Sequence, residues 1–247
     1  MDPAFQKSFL RDFPPGKPAA VLALFGKHPA WNDHMDDLGL STPSLRTCKK
    51  LLYLQGIAAN AARQQATTSE VAAYGHMLLW IRGREAVLLR LVESADGRGR
   101  GYFPLVGAIH FESGSLQDAL RVSITALQTF TRNCARLGNR HDVLEEHRHT
   151  QARIHEDFRH LPPSSPIEAA SAAETDAIRQ ALAMPGGFNC LRLPVARYDL
   201  SQSFATLASA NPAEQGPFLI AQGDTDPFIT FCHGQPDKGD FWFLRES

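Results

Sequence analysis

Three strand-like segments that follow one another closely constrain the fold of this chain most strongly. Residues 76–82, 86–92 and 104–111 are apolar and rich in residue types that favour strands. Arg82-Gly83-Arg84 forms a short turn between the first two, which are therefore predicted to form an antiparallel hairpin. A polar, glycine-rich connection, residues 93–103, leads to the third segment.

Similar patterns predict the remaining elements. An apolar strand, residues 21–25, precedes a polar loop at 26–41, and Thr42-Pro43 is typical of a helix start. That helix is expected to run to about residue 65. The second half predicts helices from Ser115, at 140–160, at 167–183 and at 200–209, with strands at 188–193, 218–222, 228–233 and 240–244.

This order of elements predicts an α+β fold with a mostly antiparallel central sheet flanked by helices. Both halves show the order βαβββ, so two βαβββ modules joined by helices are an alternative arrangement. No residue-level repeat links the halves. We expect a single α+β domain over residues 1–247, and leave open a subdivision into 20–160 and 167–247.

Composition excludes several classes of protein. The 247 residues carry 25 Lys and Arg against 26 Asp and Glu, a net charge of -1, which argues against nucleic acid as the partner. No apolar run reaches the roughly 18 residues of a membrane helix, so the protein is not expected to be membrane-embedded. Its charged, proline-rich N-terminus lacks the apolar stretch of a signal peptide, which predicts a cytoplasmic protein.

The cysteines and histidines do not form metal-binding motifs. Cys48, Cys134, Cys190 and Cys232 are far apart and have apolar neighbours, so they are predicted to be buried, inert thiols. His141, His147, His149, His155 and His160 share one predicted helix, but no two are three or four residues apart. We interpret that helix as having a solvated charged face, and expect no metal and no cofactor.

Two polar loops carry the remaining candidate chemistry. The glycines of 97–101 lead into a strand, whereas a phosphate-binding loop leads into a helix, so a surface turn is the favoured interpretation. Asp33, Asp36 and Asp37 lie near His28 and His34. That group suits an acid–base or metal site, and it equally suits turn chemistry, in which Asp side chains bond to nearby backbone.

Two motifs, one in each loop, are recognisable together. The first is Phe25-Gly26-Lys27-His28-Pro29 with Asn32-Asp33, and the second is Ser94-Ala95-Asp96 with Gly99-Arg100 and Tyr102-Phe103-Pro104-Leu105. They resemble the FGK-x-P…GD and S-x-D…GR…FPL signatures of TagF-type accessory proteins of bacterial type VI secretion systems. Asn32 stands where the family has Gly, and Gly101-Tyr102 where one aromatic is usual. The chain is thus similar to a divergent member, over about residues 21–111.

The resemblance implies a non-enzymatic regulator that represses type VI secretion after translation by binding other proteins. The implied partners are a forkhead-associated scaffold protein or a membrane-linked component of the apparatus. It implies partner-binding or motif roles for Gly26, Lys27, Pro29, Asp33, Ser94, Asp96, Gly99, Arg100, Phe103, Pro104 and Leu105. We expect the loops 26–40 and 93–103 to lie side by side, with Lys27 or Arg100 paired to Asp33 or Asp96.

Other interpretations of the same residues stay open. The Lys, Asp and Arg side chains could pair only with one another and fix the two loops. A small hydrolase or metal-dependent enzyme using His28, Asp33, His34 and Asp96 is the alternative function, and a structural component of an assembly is a third. An ion pair exposed at a loop contributes about 0–1 kcal/mol, so Arg100→Ala is expected to leave folding nearly intact.

Overall fold

The computed structural model describes residues 19–58, 74–82, 85–163, 166–167, 169–183, 188–194, 199–210 and 218–234. Within these residues seven strands form one antiparallel sheet, in the order β1-β4-β3-β2-β6-β7-β5. The strands are β1 Ala19–Gly26, β2 Gly75–Arg82, β3 Glu85–Val92, β4 Leu105–Glu112, β5 Phe188–Pro194, β6 Phe218–Gly223 and β7 Phe228–Gly234. The helices are α1 Pro43–Cys48, a π-helix Lys49–Ile57, α2 Leu116–Cys134, α3 Arg140–Arg159, α4 Ala172–Ala183 and α5 Leu200–Ser209.

The α+β class and the antiparallel sheet are confirmed. All four strands predicted in the first half share the sheet, and β2 and β3 pair as the hairpin expected from their short connection. Strand β2 also pairs with β6, so one sheet continues from the first half of the chain into the second. The strand predicted at 240–244, and residues 59–65 of the first predicted helix, lie outside the described residues.

The sheet register places both motif-bearing loops at the same end of the sheet. Leu105, the first residue of β4, pairs with Gly26 at the end of β1 on one side and with Val92 at the end of β3 on the other. Because both neighbours run antiparallel to β4, β1 and β3 end at the same edge of the sheet, one on each side of the start of β4. The loops that follow them therefore start at the same end of the sheet, one strand apart.

Alternating side chains fill two apolar layers, one on each face of the sheet. Leu22, Leu79 and Ile109 pack under helices α2, α3 and α5. Phe25, Leu89 and their neighbours pack under α1 and the π-helix, whose Leu45, Leu52 and Tyr53 are buried. Each layer removes large apolar side chains from water, which is the main favourable term in folding.

Two helices differ from their predicted form. The first begins as predicted, with the Thr42 hydroxyl accepting a hydrogen bond from the backbone N–H of Leu45. From Lys49 it continues as a π-helix, which apolar spacing alone does not distinguish from an α-helix. Helix α4 begins at Ala172 rather than 167 because Ser171 and Glu174 exchange side-chain-to-backbone hydrogen bonds, a capping box.

The prediction of four free thiols is wrong for two of them. Cys190 on β5 and Cys232 on β7 are paired across the two strands and form a disulfide. Disulfides are rare in cytoplasmic proteins, so this bond counts against the expected compartment. Cys48 and Cys134 are the buried free thiols that the sequence predicts, and burial raises the pKa of Cys134 to about 12.

Helix α3 has the solvated charged face that the sequence predicts, and a second face of the same helix contacts the sheet. His147, Gln151 and His155 lie one turn apart and face the outer edge of β1. Gln151 Oε1 accepts from Leu22 N at 2.6 Å, and His147 Nε2 lies 3.0 Å from Leu22 O. His155 Nε2 and Gln151 Nε2 bond to Ala20 O. These side chains satisfy backbone groups that an edge strand would otherwise leave unpaired.

Among the described residues, no helix combines the length and apolar character needed to cross a membrane.

Candidate functional site

The first motif forms a tight turn at the end of β1. Gly26 has a φ of 118°, and a Cβ there would lie 2.2 Å from the Pro104 carbonyl oxygen, so only glycine fits. The next N–H, that of Lys27, donates to the same carbonyl at 3.2 Å. Met35 N donates to Gly26 O at 2.9 Å and returns the loop to the strand. The turn therefore aims the Lys27 side chain at the second loop.

Lys27 is buried and bridges the two loops. Its Nζ donates to Asp33 Oδ1 at 2.7 Å and to Asp96 Oδ2 at 2.8 Å, although Asp96 is 69 residues away in sequence. Lys27 is 4% exposed, and the Asp96 side chain is fully buried, whereas the Asp33 side chain is 71% exposed. The pair of Lys27 and Asp96 is thus interior, and Asp33 covers it from the solvent side.

Asp96 organises the turn of the second loop. Its Oδ1 accepts the backbone N–H groups of Arg98 and Arg100 at 3.0 and 3.1 Å. Its backbone oxygen accepts from Gly99 N at 2.8 Å and closes the turn. The Asp96 carboxylate fills the backbone recess in which a phosphate-binding loop would hold its anion, which agrees with the interpretation of this segment as a turn.

Arg100 completes the four-residue charge cluster of Lys27, Asp33, Asp96 and Arg100. Its Nε donates to Asp96 Oδ2 at 2.8 Å, and Nη2 donates to the Asn32 carbonyl at 2.8 Å and to Asp33 Oδ1 at 3.4 Å. The side chain is 45% exposed. The expected meeting of the two loops through these residues is confirmed, and Arg100 is the cation that the cluster presents to solvent.

The cluster holds its carboxylates ionised. The hydrogen bond and charge of Lys27 lower the pKa of Asp33 to about 2. Burial opposes ionisation of Asp96, but hydrogen bonds from Lys27, Arg100 and Arg98 outweigh it and hold its pKa well below the usual value for aspartate. Two cations therefore face two anions at neutral pH, and the cluster is internally neutral.

An aromatic group lies beside the charges. The His34 ring contacts the rings of Tyr53 and Phe103, with centroids 5.8 and 5.2 Å away. Tyr53 belongs to the π-helix, and its hydroxyl lies 3.4 Å from Pro104 O. Burial and the charge of Lys27 lower the pKa of His34, which favours a neutral ring. Sequence reasoning missed Tyr53, whose only signal was its place in an apolar helix.

His28 does not join the cluster. Its ring is buried, with Nδ1 accepting from Ala30 N at 3.1 Å and Nε2 donating to Cys134 O at 2.8 Å, so it ties the first loop to α2. The ring also packs edge-on against the buried Trp31, 5.3 Å between centroids. Burial lowers the pKa of His28, which keeps this imidazole neutral.

These positions decide which residues of the enzyme alternative could act together. Asp33 and His34 are neighbours near Asp96, but His28 is committed to Ala30 and Cys134. The Lys27 ammonium already stands between the two carboxylates, where a bound cation would have to sit. Within the described residues, no group of three or more His, Cys, Asp or Glu side chains could hold a metal ion.

The other predicted motif residues lie outside the charge cluster, and most of them are buried or half-buried. Leu105 is fully buried, and Phe103 is half-buried against Tyr53. Pro29 is exposed and Ser94 is half-buried two residues before Asp96. The expectation of a rim-exposed ion pair needs correction, because Lys27 and Asp96 are buried.

No family model matches the chain, and no curated protein is similar enough to match it. Its fold is similar to the crystal structure of PA0076 from Pseudomonas aeruginosa PAO1, with a TM-score of 0.50. The similarity covers 91% of this chain and 93% of that chain at 15% sequence identity. At such low identity the likeness shows the fold alone.

Proposed function

We propose that this protein is an accessory regulator of a bacterial type VI secretion system, which represses secretion after translation by binding another protein. It acts on a forkhead-associated scaffold or a membrane-linked component of the apparatus. The two loops at the shared end of β1 and β3 form its binding face.

One observation carries this proposal. The residues through which the sequence resembles TagF-type proteins lie in two segments, and their charged members converge in one cluster built around Lys27 and Asp96. Chance matches to two short motifs have no reason to meet in space. The cluster lies on loops that a rigid sheet supports, which is where proteins commonly carry binding residues.

The chemistry of the cluster favours binding over catalysis. A general acid or base works best with a pKa near the operating pH. The pKa of Asp33 is about 2, and the pKa of Asp96 is held well below the usual value for aspartate, so both lie far from neutral pH. Lys27 and Arg100 both donate hydrogen bonds to those carboxylates. The outward-facing Arg100 and Asp33 remain suited to charged contacts with a partner.

Deleting the gene in the source bacterium tests the proposal. Secretion of a type VI substrate into the medium should rise, while the amounts of the apparatus proteins and their transcripts stay the same. Complementation with the wild-type chain should restore restraint. Unchanged secretion, or secretion that falls, would contradict a repressor role. A rise that follows increased transcript would contradict action after translation.

A further inference from the structure

Three arginines surround one short loop, which we call the 29–32 loop. Arg100 Nη2 donates to Asn32 O at 2.8 Å, and Arg140 Nε donates to Ala30 O at 3.3 Å. Between these two carbonyls, Trp31 O accepts from the N–H of Gly97 at 2.6 Å, which places Arg98 next to the same loop. Separate parts of the chain thus bring the guanidinium groups of Arg100 and Arg140 and the backbone of Arg98 to the same four residues.

The position of Arg98 is fixed although its side chain is exposed. Asp96 holds the backbone N–H of Arg98, and a Cβ on Gly97 would lie 2.9 Å from Pro29 O, so the turn packs tightly against the 29–32 loop. The Arg98 side chain forms no hydrogen bond or ion pair with another described residue. A rigid turn therefore presents to solvent a cation that no described residue pairs with.

Arg140 has no carboxylate partner among the described residues either. Its guanidinium lies over the buried Trp31 ring, 5.2 Å from the centroid, and bonds only to the Ala30 carbonyl. The nearest carboxylate along the helix, Asp142, accepts from Asn139. Contact with the ring and carbonyl orients the guanidinium without neutralising its charge.

From this arrangement we infer that Arg98, Arg100 and Arg140 form a docking surface for an acidic segment of a partner protein. The partner is chosen by charge complementarity. Arg98 and Arg140 lack an anion among the described residues, and a guanidinium binds carboxylates through paired hydrogen bonds. The inference rests on the proposed function only in identifying the partner as a secretion component. It adds Arg98 and Arg140 to the contact that Arg100 offers at the edge of the charge cluster.

The test measures binding of a fluorescein-labelled hexaglutamate peptide to the purified full-length chain by anisotropy, at low ionic strength where screening is weak. Arg98→Glu and Arg140→Glu should each weaken binding by at least about tenfold, because each loses a charge-assisted hydrogen bond, which alone accounts for that factor, and adds repulsion between carboxylates. Arg153→Glu is the matched control. It reverses an exposed charge on the same helix as Arg140, about 20 Å further along.

Four results would overturn the inference. They are absence of peptide binding, unchanged binding in Arg98→Glu and Arg140→Glu, equal weakening in Arg153→Glu, and tighter binding of single-stranded DNA of equal charge through the same arginines. Circular dichroism checks folding, and Arg98→Ala, which removes no internal contact, is a second variant that should also weaken binding. Because peptide binding is measured on the isolated protein, it can succeed where the secretion experiment fails, and the reverse.

Discussion

The burial of Lys27 predicts a sharp difference between two variants of the charge cluster. Lys27→Met keeps the length of the side chain and removes its charge, whereas Arg100→Ala removes the half-exposed cation. Lys27 is 4% exposed and donates to both carboxylates, so its loss leaves the buried Asp96 without its interior cation.

The contacts that survive set the size of each effect. In Arg100→Ala, Asp96 keeps Lys27 and the two backbone N–H groups, and the lost ion pair was partly screened by water. We expect Arg100→Ala to lower the free energy of unfolding by about 1 kcal/mol or less. Breaking a buried ion pair costs about 3–5 kcal/mol of stability. Because Asp96 keeps its other donors, we expect Lys27→Met to lower the free energy of unfolding by about 3 kcal/mol, the lower end of that range.

Urea unfolding at pH 7, followed by circular dichroism, measures both values. The slope of the transition should be the same in wild type and both variants, so that the midpoint reports stability alone. Arg153→Ala, an exposed change on α3, is the control and should have no measurable effect. Equal losses in Lys27→Met and Arg100→Ala would refute the distinction between a buried structural pair and an exposed cation.

Three further predictions concern other parts of the fold. Gly26→Ala should lower the free energy of unfolding by at least about 2 kcal/mol, because the φ of Gly26 is 118° and a Cβ there would clash with Pro104 O. Urea unfolding measures this loss, and an unchanged free energy of unfolding would contradict the turn geometry. Burial lowers the pKa of His76 to about 4 in the folded state, so as the pH falls below 6.5 this histidine is protonated in the unfolded state before it is protonated in the folded state. Unfolding free energy should therefore fall by about 3 kcal/mol as pH is lowered from 6.5 to 4, and that slope should shrink in His76→Gln; an unchanged slope would contradict it. Thiol titration of the denatured, unreduced protein should detect two thiols rather than four, because Cys190 and Cys232 are paired, and four would contradict the disulfide.

Local signals predicted most elements of the fold. Helix α5, Leu200–Ser209, has the predicted bounds, and Asp199 caps it through a hydrogen bond to Ser201 N. Apolar runs located all the strands that the structure describes. The π-helix was beyond such reasoning, since the spacing of Leu51 and Leu52 suits either helix type. Whether a helix forms i to i+4 or i to i+5 hydrogen bonds depends on its packing in the fold, which a local sequence pattern does not predict.

Long-range pairing explains what the sequence did not predict. Cys190 and Cys232 are 42 residues apart, and their bond depends on the register of β5 against β7. Likewise, the spacing of His147, Gln151 and His155 by four residues indicates one helix face. Only the topology shows that this face meets the edge of β1.

The sequence predicted which charged residues meet at the candidate site, but it did not predict that part of the site is buried. The two motifs correctly predicted that Lys27 and Arg100 would meet Asp33 and Asp96. Burial of Lys27 follows from the sharp turn at Gly26 and from Asp33 lying over it. The sequence also gave no sign that Arg140 joins the 29–32 loop, because that contact depends on how α3 begins beside Trp31.

The most direct test of a binding role for this face is to measure the stability and the secretion phenotype of Arg100→Ala together. The variant replaces the chromosomal copy in the source bacterium, with Arg153→Ala as control, and the same proteins are purified for thermal unfolding. A binding role predicts an unfolding temperature close to that of wild type and release of type VI secretion from restraint in Arg100→Ala only. A stable Arg100→Ala protein that restrains secretion as wild type does would contradict it.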